Sequence, residues 1–220
     1  EIFRTEGTID KYMGDAIMAF WNDPIDQEDH AFRACASALG AQRRLKEMAR
    51  AMKERGLPEM SARIGINTGV ATVGNMGAKG QVNYTLVGDE VNLASRLEGV
   101  NKEFGTEIIV SEAPLLAAKD RLESREVALI KVKGRKAPVR IFEVLGLKGE
   151  VDAALLDRAR AFEAALADFR ARKFQKAWEA FASLGQKGDA PSGVYRAICE
   201  NFMAEPPPQD WDFTYQMESK

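Results

Sequence analysis

The sequence predicts an α/β fold, an α+β sandwich in which helices pack on an antiparallel or mixed β-sheet, followed by a small α-helical extension. Two patterns carry this prediction. Strand-like and helical segments alternate through residues 1–148, whereas residues 149–220 show helical spacing almost throughout. The chain has 220 residues, and 45% of them are apolar, which is enough for a sizeable core. We therefore expect one α/β domain, 1–148, and a helical appendage, 149–220.

The first predicted element is a β-hairpin. Thr8–Met13 and residues 16–21 are rich in strand-forming side chains, and Gly14 and Asp15 between them are typical of a two-residue turn. The two-residue period of a strand places Lys11 on a face with apolar neighbours. A lysine on such a face needs a partner, or it extends its charged end into water, which is the more common outcome.

The next segment is predicted to contain a helix, a second hairpin and a loop. Asp26 can cap a long helix that ends near Gly56, with apolar residues at helical spacing between them. Residues 63–69 and 70–74 are predicted to pair with each other. Residues 74–80 are predicted to form a flexible glycine-rich loop before the next strand.

The rest of the chain continues the alternation and then becomes helical. A helix containing Asn92 and Arg96 is followed by a strand, a short helix and two strands, predicted at residues 107–110, 111–118, 127–132 and 139–145. Beyond Gly149, two predicted helices with apolar residues at intervals of four and three resemble a single tetratricopeptide-like hairpin. A third helix is predicted to contain Tyr195. Because one such repeat buries little surface by itself, we expect it to dock on the core or on a partner.

Composition argues against several classes of partner. The chain has 31 Lys and Arg against 33 Asp and Glu, so its net charge of -2 gives no long-range attraction to nucleic acid or anionic membranes. Cys35 and Cys199 lie far apart, which is typical of reduced core thiols, and the single His30 cannot form a histidine metal site. No apolar run reaches the roughly 18 residues of a membrane span. We expect a cytoplasmic protein, or the cytosolic part of a membrane-tethered one.

Two segments resemble the signature of class III nucleotide cyclases. They are GTIDKYMGDAIMAFW at residues 7–21 and NYTLVGDEVNLASRLEGV at residues 83–100, and two matches in the right order are far more specific than one. The resemblance covers the chain as far as about residue 147 and is strongest to bacterial-type adenylate cyclases with Thr in the adenine site. It implies a ferredoxin-like, palm-type sheet and the conversion of ATP to cyclic AMP and pyrophosphate in cyclic-nucleotide signalling.

The resemblance assigns roles in metal and adenine binding. Asp15 would hold Mg²⁺ or Mn²⁺, two ions per complete site. Lys11 would donate to N1 of adenine, and the Thr85 hydroxyl would accept from the 6-amino group. Each residue also has an ordinary explanation: Asp15 as a turn residue, Lys11 as a solvated strand lysine, and Thr85 as a β-branched strand residue.

The same resemblance assigns roles at the ribose and the phosphates. Asn92 would orient the ribose, and Arg96, one helical turn away on the same face, would stabilise negative charge on the phosphorus. A polar helix face in water would show the same spacing. Lys133 and Arg135 are weaker matches for binding the β and γ phosphates, because a basic turn is usually just solvated.

One part of the family pattern does not occur in this sequence. The motif F-x-D-I-x-x-F, which contributes the other metal aspartate, is missing, so we expect a fragment that is inactive as given. The resemblance implies a homodimer with active sites at its interface and a possible upstream sensor domain in the parent protein. Two alternatives stay open. One is a catalytically dead regulatory or dimerisation module. The other is a guanylate cyclase, although the family pattern for guanylate cyclases has Glu and Cys at the positions of Lys11 and Thr85.

Overall fold

A computed structural model describes residues 1–78, 80–132, 134–135 and 137–217. The β-strands are β1 Thr8–Met13, β2 Ala16–Phe20, β3 Ile64–Ile66, β4 Thr72–Ala78, β5 Gln81–Val87, β6 Ile108–Ser111, β7 Leu122–Lys131, β8 Val139–Leu147 and β9 Tyr215–Gln216. The α-helices are α1 His30–Glu54, α2 Asp89–Phe104, α3 Glu112–Ala118, α4 Ala153–Arg170, α5 Phe174–Gln186 and α6 Ala190–Ala204. Strands and helices alternate as far as β8, and helices dominate after it.

The main sheet has five strands in the order β3-β6-β8-β7-β9. β3 runs parallel to β6, and β9 runs parallel to β7, whereas β8 is antiparallel to both of its neighbours. The hairpins β1–β2 and β4–β5 form two further sheets of two strands each. The predicted α/β sandwich with a mixed sheet and packing helices is confirmed.

The predicted pairing of residues 63–69 with 70–74 is wrong. β3 pairs with β6, which is distant in sequence, and the observed hairpin joins β4 to β5. The stretch predicted as a loop, 74–80, supplies most of β4. Glycines in β4 resemble loop residues in sequence, yet their backbone groups still pair across the antiparallel ladder, and local patterns do not reveal which strand a neighbour chooses.

The start of α1 also differs from the prediction. The helix begins at His30, with Asp29 and not Asp26 at the N-cap position. The Asp29 side chain makes no capping hydrogen bond because it accepts from Arg33 Nε at 2.5 Å instead. Asp29 is therefore occupied by an i,i+4 ion pair on the helix surface.

α2 packs one face on the main sheet and presents the other to solvent. Its buried side chains recur at intervals of three and four residues, which is the spacing of one helical face: Leu93, Leu97, Val100 and Phe104. Asn92 and Arg96 fall on the other side of the helix and are exposed. The packing of α2 thus fixes which way its polar residues point.

The C-terminal helices share a hydrophobic core with the sheet and α2. Phe162 and Phe181 are fully buried in this cluster, and the Tyr195 hydroxyl donates to the carbonyl of Val127 in β7 at 2.8 Å. Arg125 of β7, whose side chain is 4% exposed, joins Glu143 at 2.7 Å to Asp189 at the start of α6 at 2.6 Å. The helices therefore dock on the α/β core; their likeness to a tetratricopeptide hairpin and a domain boundary at residue 148 stay predictions.

Both cysteines are free thiols buried in the protein interior. Burial raises the pKa of the Cys35 thiol to about 12. Burial, with a smaller effect of Glu200, raises the pKa of the Cys199 thiol to about 12. Because the thiolate is the reactive form, both residues fit the structural role expected of them. Of the helices in the described part of the chain, none is both long and apolar enough to cross a bilayer.

Candidate active site

The site is built around a β-bulge in the first hairpin. In the β1–β2 ladder Ile9 pairs with Ala19 and Lys11 pairs with Met18, so Asp10 is an extra residue in β1. Such a bulge breaks the strict alternation of side chains along a strand. As a result Asp10 and Lys11, which are neighbours in sequence, both reach the same side chain on β5.

That side chain is Thr85, which connects the two hairpins. Lys11 Nζ donates to Thr85 Oγ1 at 3.0 Å, across a sequence separation of 74 residues. Thr85 Oγ1 in turn donates to Asp10 Oδ2 at 2.7 Å. Lys11 Nζ also lies 3.5 Å from Asp10 Oδ2 as an ion pair. The structure thus brings together the two residues predicted to bind adenine.

Burial in this cluster falls from its base to its rim. The Asp10 side chain is 1% exposed, Thr85 is 7% exposed, and the Lys11 side chain is 44% exposed. A half-exposed lysine can reorient its ammonium group toward a ligand while its aliphatic stem stays in place. The cluster can therefore present an ammonium donor and a hydroxyl oxygen to a planar ring at the surface.

Asp15 lies at the exposed tip of the first hairpin. Gly14 precedes it with a φ of +65°, a left-handed conformation that suits glycine and closes the tight turn. A carboxylate there can accept a hard cation such as Mg²⁺. However, no group of three or more potential metal-ligating side chains occurs among the described residues. The described residues alone therefore do not form a complete metal site, and Asp15 would supply one ligand of it.

Asn92 and Arg96 project from the first two turns of α2. Both are exposed, and Arg96 takes part in an interaction with its surroundings. Their helix follows β5 directly, so only Gly88 separates the strand carrying Thr85 from the start of α2. One continuous strand–helix unit therefore carries three of the predicted site residues.

A polar network braces the start of α2. Arg135 forms an ion pair with Glu90, whose carboxylate also accepts from Asn67 Nδ2 at 2.7 Å. Asn67 in turn accepts from the Ser111 hydroxyl at 2.5 Å. Arg135 therefore lies beside the turn of α2 that carries Asn92, and its guanidinium is paired with the Glu90 carboxylate. Lys133, predicted with it to bind phosphate, lies outside the described residues.

Asp10 and Glu90 were not predicted to matter. The period of β1 places Asp10 on the face opposite to Lys11, and only the bulge brings the two together. Glu90 lies in the first turn of α2, where an acidic residue is ordinary because it favours the helix N-terminus. An acidic residue directly before a lysine that is expected to bind a base is the one signal that could have drawn attention to Asp10.

Comparison with known proteins identifies the class of this chain. The family model of the adenylate and guanylate cyclase catalytic domain matches residues 8–146. The chain belongs to this family. The matched segment contains both hairpins, α2 and the main sheet as far as β8.

Three individual proteins show how similar the chain is to adenylate and guanylate cyclases. The chain is 44% identical over 142 residues to "Adenylate cyclase 1" of Rhizobium meliloti (strain 1021), a match covering 64% of this chain and 21% of that protein. The adenylyl cyclase CyaB from P. aeruginosa is 34% identical with a TM-score of 0.62, covering 69% of this chain and 78% of that one. The guanylyl cyclase Cya2 is 36% identical with a TM-score of 0.60, covering 68% and 75%.

These comparisons have two consequences. The chain spans about a fifth of the length of the curated relative. The two solved structures named above are a guanylyl cyclase and an adenylyl cyclase, yet they resemble the chain almost equally, with TM-scores of 0.60 and 0.62. Overall similarity therefore does not separate ATP from GTP, and the residues that contact the base must do so.

Proposed function

We propose that this chain is the catalytic part of an adenylate cyclase, which converts ATP to cyclic AMP and pyrophosphate. In this reaction the ribose 3′ oxygen attacks the α phosphorus and loses its proton. The bond from that phosphorus to the bridging oxygen breaks, and pyrophosphate leaves. Membership of the cyclase family supports the reaction class. The choice of ATP rests on the residues of the base site.

The observation that supports ATP is the contact between Lys11 and Thr85. An ammonium group can only donate, so it suits the N1 of adenine, which accepts, and opposes the N1–H of guanine. The Thr85 oxygen lies 3.0 Å from the same ammonium nitrogen, close enough for one flat ring to meet both groups along its edge. Neighbouring positions 1 and 6 of adenine present this acceptor and donor pair.

The remaining residues would act on the sugar and the phosphates. The Asn92 amide would orient the ribose so that its 3′ oxygen faces the α phosphorus. Arg96 would place a planar, multiply donating cation against the charge that develops on the phosphorus. Arg135, and Lys133 with it, would bind the β and γ phosphates once Arg135 exchanges its carboxylate partner for phosphate oxygens.

Divalent metal ions are a general feature of this family. When bound, such an ion supplies positive charge that offsets the triphosphate. Asp15 would contribute one carboxylate oxygen, and the other ligands would come from phosphate oxygens and from another protein segment. Mg²⁺ and Mn²⁺ both accept such oxygen ligands.

The hairpins carry the apolar surface that a homodimer needs. Tyr12 is 68% exposed, Ile17 52% and Val82 62%, and Val70, just before β4, is 92% exposed. Exposed apolar residues concentrated in one region are typical of an interface. We infer that a second copy of the chain covers them, so that Asp15 of one subunit completes a site with Lys11, Thr85, Asn92 and Arg96 of the other.

Two other functions are separable by the same experiment. A regulatory or dimerisation module is favoured by the single exposed carboxylate at Asp15, with no larger acidic group among the described residues. A guanylate cyclase is favoured by the similarity to Cya2. Neither alternative explains why an adenine-type donor and acceptor meet at Lys11 and Thr85.

The test measures cyclic AMP and cyclic GMP formation with Mn²⁺ in three proteins. They are this chain, a version extended upstream by a segment that carries the motif F-x-D-I-x-x-F, and the extended version with Asp15→Ala. We expect cyclic AMP from the extended wild type and at least a hundredfold less from the Asp15 variant. Asp157→Ala, which removes an exposed carboxylate on α4, is the matched control and should leave the rate unchanged.

Each other result has a distinct meaning. Cyclic GMP as the main product would establish a guanylate cyclase. Silence of both extended proteins at high concentration, with normal folding by circular dichroism, would support the regulatory module. Full activity of the Asp15 variant would remove that residue from the metal site while leaving the cyclase assignment intact.

A further inference from the structure

The hydrogen bonds around Thr85 fix the direction in which its hydroxyl donates its proton. A hydroxyl has one proton to donate and two lone pairs to accept with, and alone it rotates to suit its partner. Here one neighbour is a lysine ammonium, which can only donate, and another is an aspartate carboxylate, which can only accept. The single proton of Thr85 must therefore point to Asp10, at 2.7 Å.

This constraint matters because threonine by itself is ambiguous toward purines. A free hydroxyl can accept from the 6-amino group of adenine or donate to the 6-oxo group of guanine or hypoxanthine. With its proton committed to Asp10, Thr85 has only lone pairs left for a base. A 6-amino group then gains a hydrogen bond, whereas a 6-oxo group meets a second acceptor and loses one.

We propose that Asp10 is a positioning residue that fixes Thr85 as a hydrogen-bond acceptor and thereby sets the preference for a 6-aminopurine over a 6-oxopurine. The inference rests on the proposed function, because it concerns the base of the proposed substrate. Asp10 does not touch the nucleotide in this scheme. It acts through the proton of Thr85.

The burial of Asp10 supports this role. Its side chain is 1% exposed, and its Oδ1 atom has no hydrogen-bond partner among the described residues. Burying a carboxylate with one oxygen unsatisfied opposes folding. The bulge that inserts Asp10 also interrupts the β1–β2 ladder. Neither the unpaired oxygen nor the bulge stabilises the fold. Both accompany the one contact that orients the Thr85 hydroxyl, because the bulge brings the buried Asp10 carboxylate within reach of it.

The experiment compares ATP with ITP in the extended protein, measuring both nucleotide binding and kcat/KM. ITP differs from ATP only in its 6-oxo group and the proton on N1. The N1 proton meets Lys11 in every variant, so a change in the ATP-to-ITP ratio reports on position 6. The variants are Asp10→Leu, Thr85→Val and the double variant. Asp23→Asn, which alters the carboxylate bonded to Tyr84 on the same strand as Thr85, is the matched control.

Asp10→Leu keeps roughly the shape of the side chain but removes the oxygen that accepts from Thr85, which frees the Thr85 proton. We expect the ATP-to-ITP ratio to fall about tenfold, the equivalent of one hydrogen bond. Because Asp10 acts through Thr85, the double variant should show no further loss beyond Thr85→Val. The control should keep the wild-type ratio.

Other outcomes would overturn the inference. An equal loss for ATP and ITP in Asp10→Leu would indicate a purely structural role, and additive losses in the double variant would mean that Asp10 acts without Thr85. A wild type that prefers ATP while Asp10→Leu keeps the full preference would reject the inference alone. A wild type that binds neither nucleotide would reject the proposed function first.

A measurement on the wild type covers the case in which Asp10→Leu does not fold. Purine riboside triphosphate has hydrogen at position 6, and its 6-methoxy analogue has an oxygen acceptor there, while both keep an unprotonated N1. A Thr85 fixed as an acceptor should bind the 6-methoxy compound less tightly than the parent. Equal or tighter binding of the 6-methoxy compound would show that Thr85 is free to donate, and would contradict the inference.

Discussion

The two β-hairpins and the C-terminal helices of this chain are built in opposite ways. In the helical region Phe162 and Phe181 are fully buried, with ring centroids 5.5 Å apart, and the packing continues into the main sheet. In the hairpins Tyr12 and Val82 are 68% and 62% exposed. Stability is therefore concentrated in the shared core, whereas Lys11, Asp15 and Thr85 of the predicted site occupy hairpins that leave large apolar side chains exposed.

The comparison indicates that different parts of the chain supply the accessible site and the stability of the fold. A site assembled between subunits needs apolar and polar groups that stay accessible until the partner arrives. A shared core between the sheet and the C-terminal helices can supply the stability that two thin hairpins cannot, because an isolated two-stranded hairpin is marginal in water. The comparison predicts that substitutions in the two regions will affect different measurements.

The largest expected effect comes from the helical core. Phe181→Ala removes a fully buried ring that packs on Phe162 and Tyr195, so we expect the free energy of unfolding to fall by about 3–5 kcal/mol. Urea denaturation followed by circular dichroism measures it. Phe3→Ala, which removes a ring that is 74% exposed, is the control and should change the free energy by less than about 0.5 kcal/mol.

The shape of the transition tests the comparison further. Because one hydrophobic cluster includes residues of α2, the sheet and the C-terminal helices, we expect a single cooperative unfolding transition. If Phe181→Ala instead produces two transitions, with the α/β part unfolding at the wild-type urea concentration, the helical extension is an independent unit and the shared-core argument is wrong.

A smaller effect is expected from an exposed apolar residue of the first hairpin. Ile17 is 52% exposed, so Ile17→Ser should change the free energy of unfolding by less than about 0.5 kcal/mol. If a second subunit covers this surface, the same change should raise the dimer dissociation constant about tenfold, through lost apolar burial. Sedimentation velocity measures the association.

Leu116→Ser is the matched control for Ile17. Leu116 is 70% exposed on α3, outside both hairpins, and its replacement should leave the dissociation constant unchanged. Equal weakening by both substitutions would mean that association is not specific to the hairpins. No change with Ile17→Ser would exclude this part of the hairpin from the interface.

The smallest effect concerns the C-terminal end. Hydrogen bonds from Lys131 and Thr214 lower the pKa of Asp212 to about 2. Since this folded-state pKa lies below the ordinary 3.8, the carboxylate stabilises the folded chain above about pH 4, and that contribution disappears as the pH falls toward 2. Both partners are about half exposed, so the contribution is small.

Fluorescence of Trp211, next to Asp212 in the chain, measures this acid transition. Asp212→Asn should lose the part of the transition between about pH 4 and 2, because an amide does not titrate there. Asp157→Asn, at an exposed ion pair on α4, should keep it. An identical acid profile in Asp212→Asn and the wild type would show that this ion pair does not hold β9 against β7.

Much of the fold was accessible from local sequence patterns. The first hairpin, the helix that carries Asn92 and Arg96, and the three C-terminal helices all appear near their predicted positions. Turn residues and apolar periods record these elements because the interactions that form them join residues a few positions apart. The pairing of β3 was predicted wrongly for the complementary reason, since its partner β6 lies more than forty residues away.

The candidate site shows the same division. The sequence by itself determined the residue types at Lys11, Thr85, Asn92 and Arg96, and through the resemblance it determined the class of chemistry to expect. Only the tertiary structure decided that Lys11 and Thr85 meet, and that a bulge brings Asp10 to the same hydroxyl. Propensity and periodicity are properties of neighbouring residues, whereas a contact across 75 residues depends on how two separately formed hairpins pack against each other.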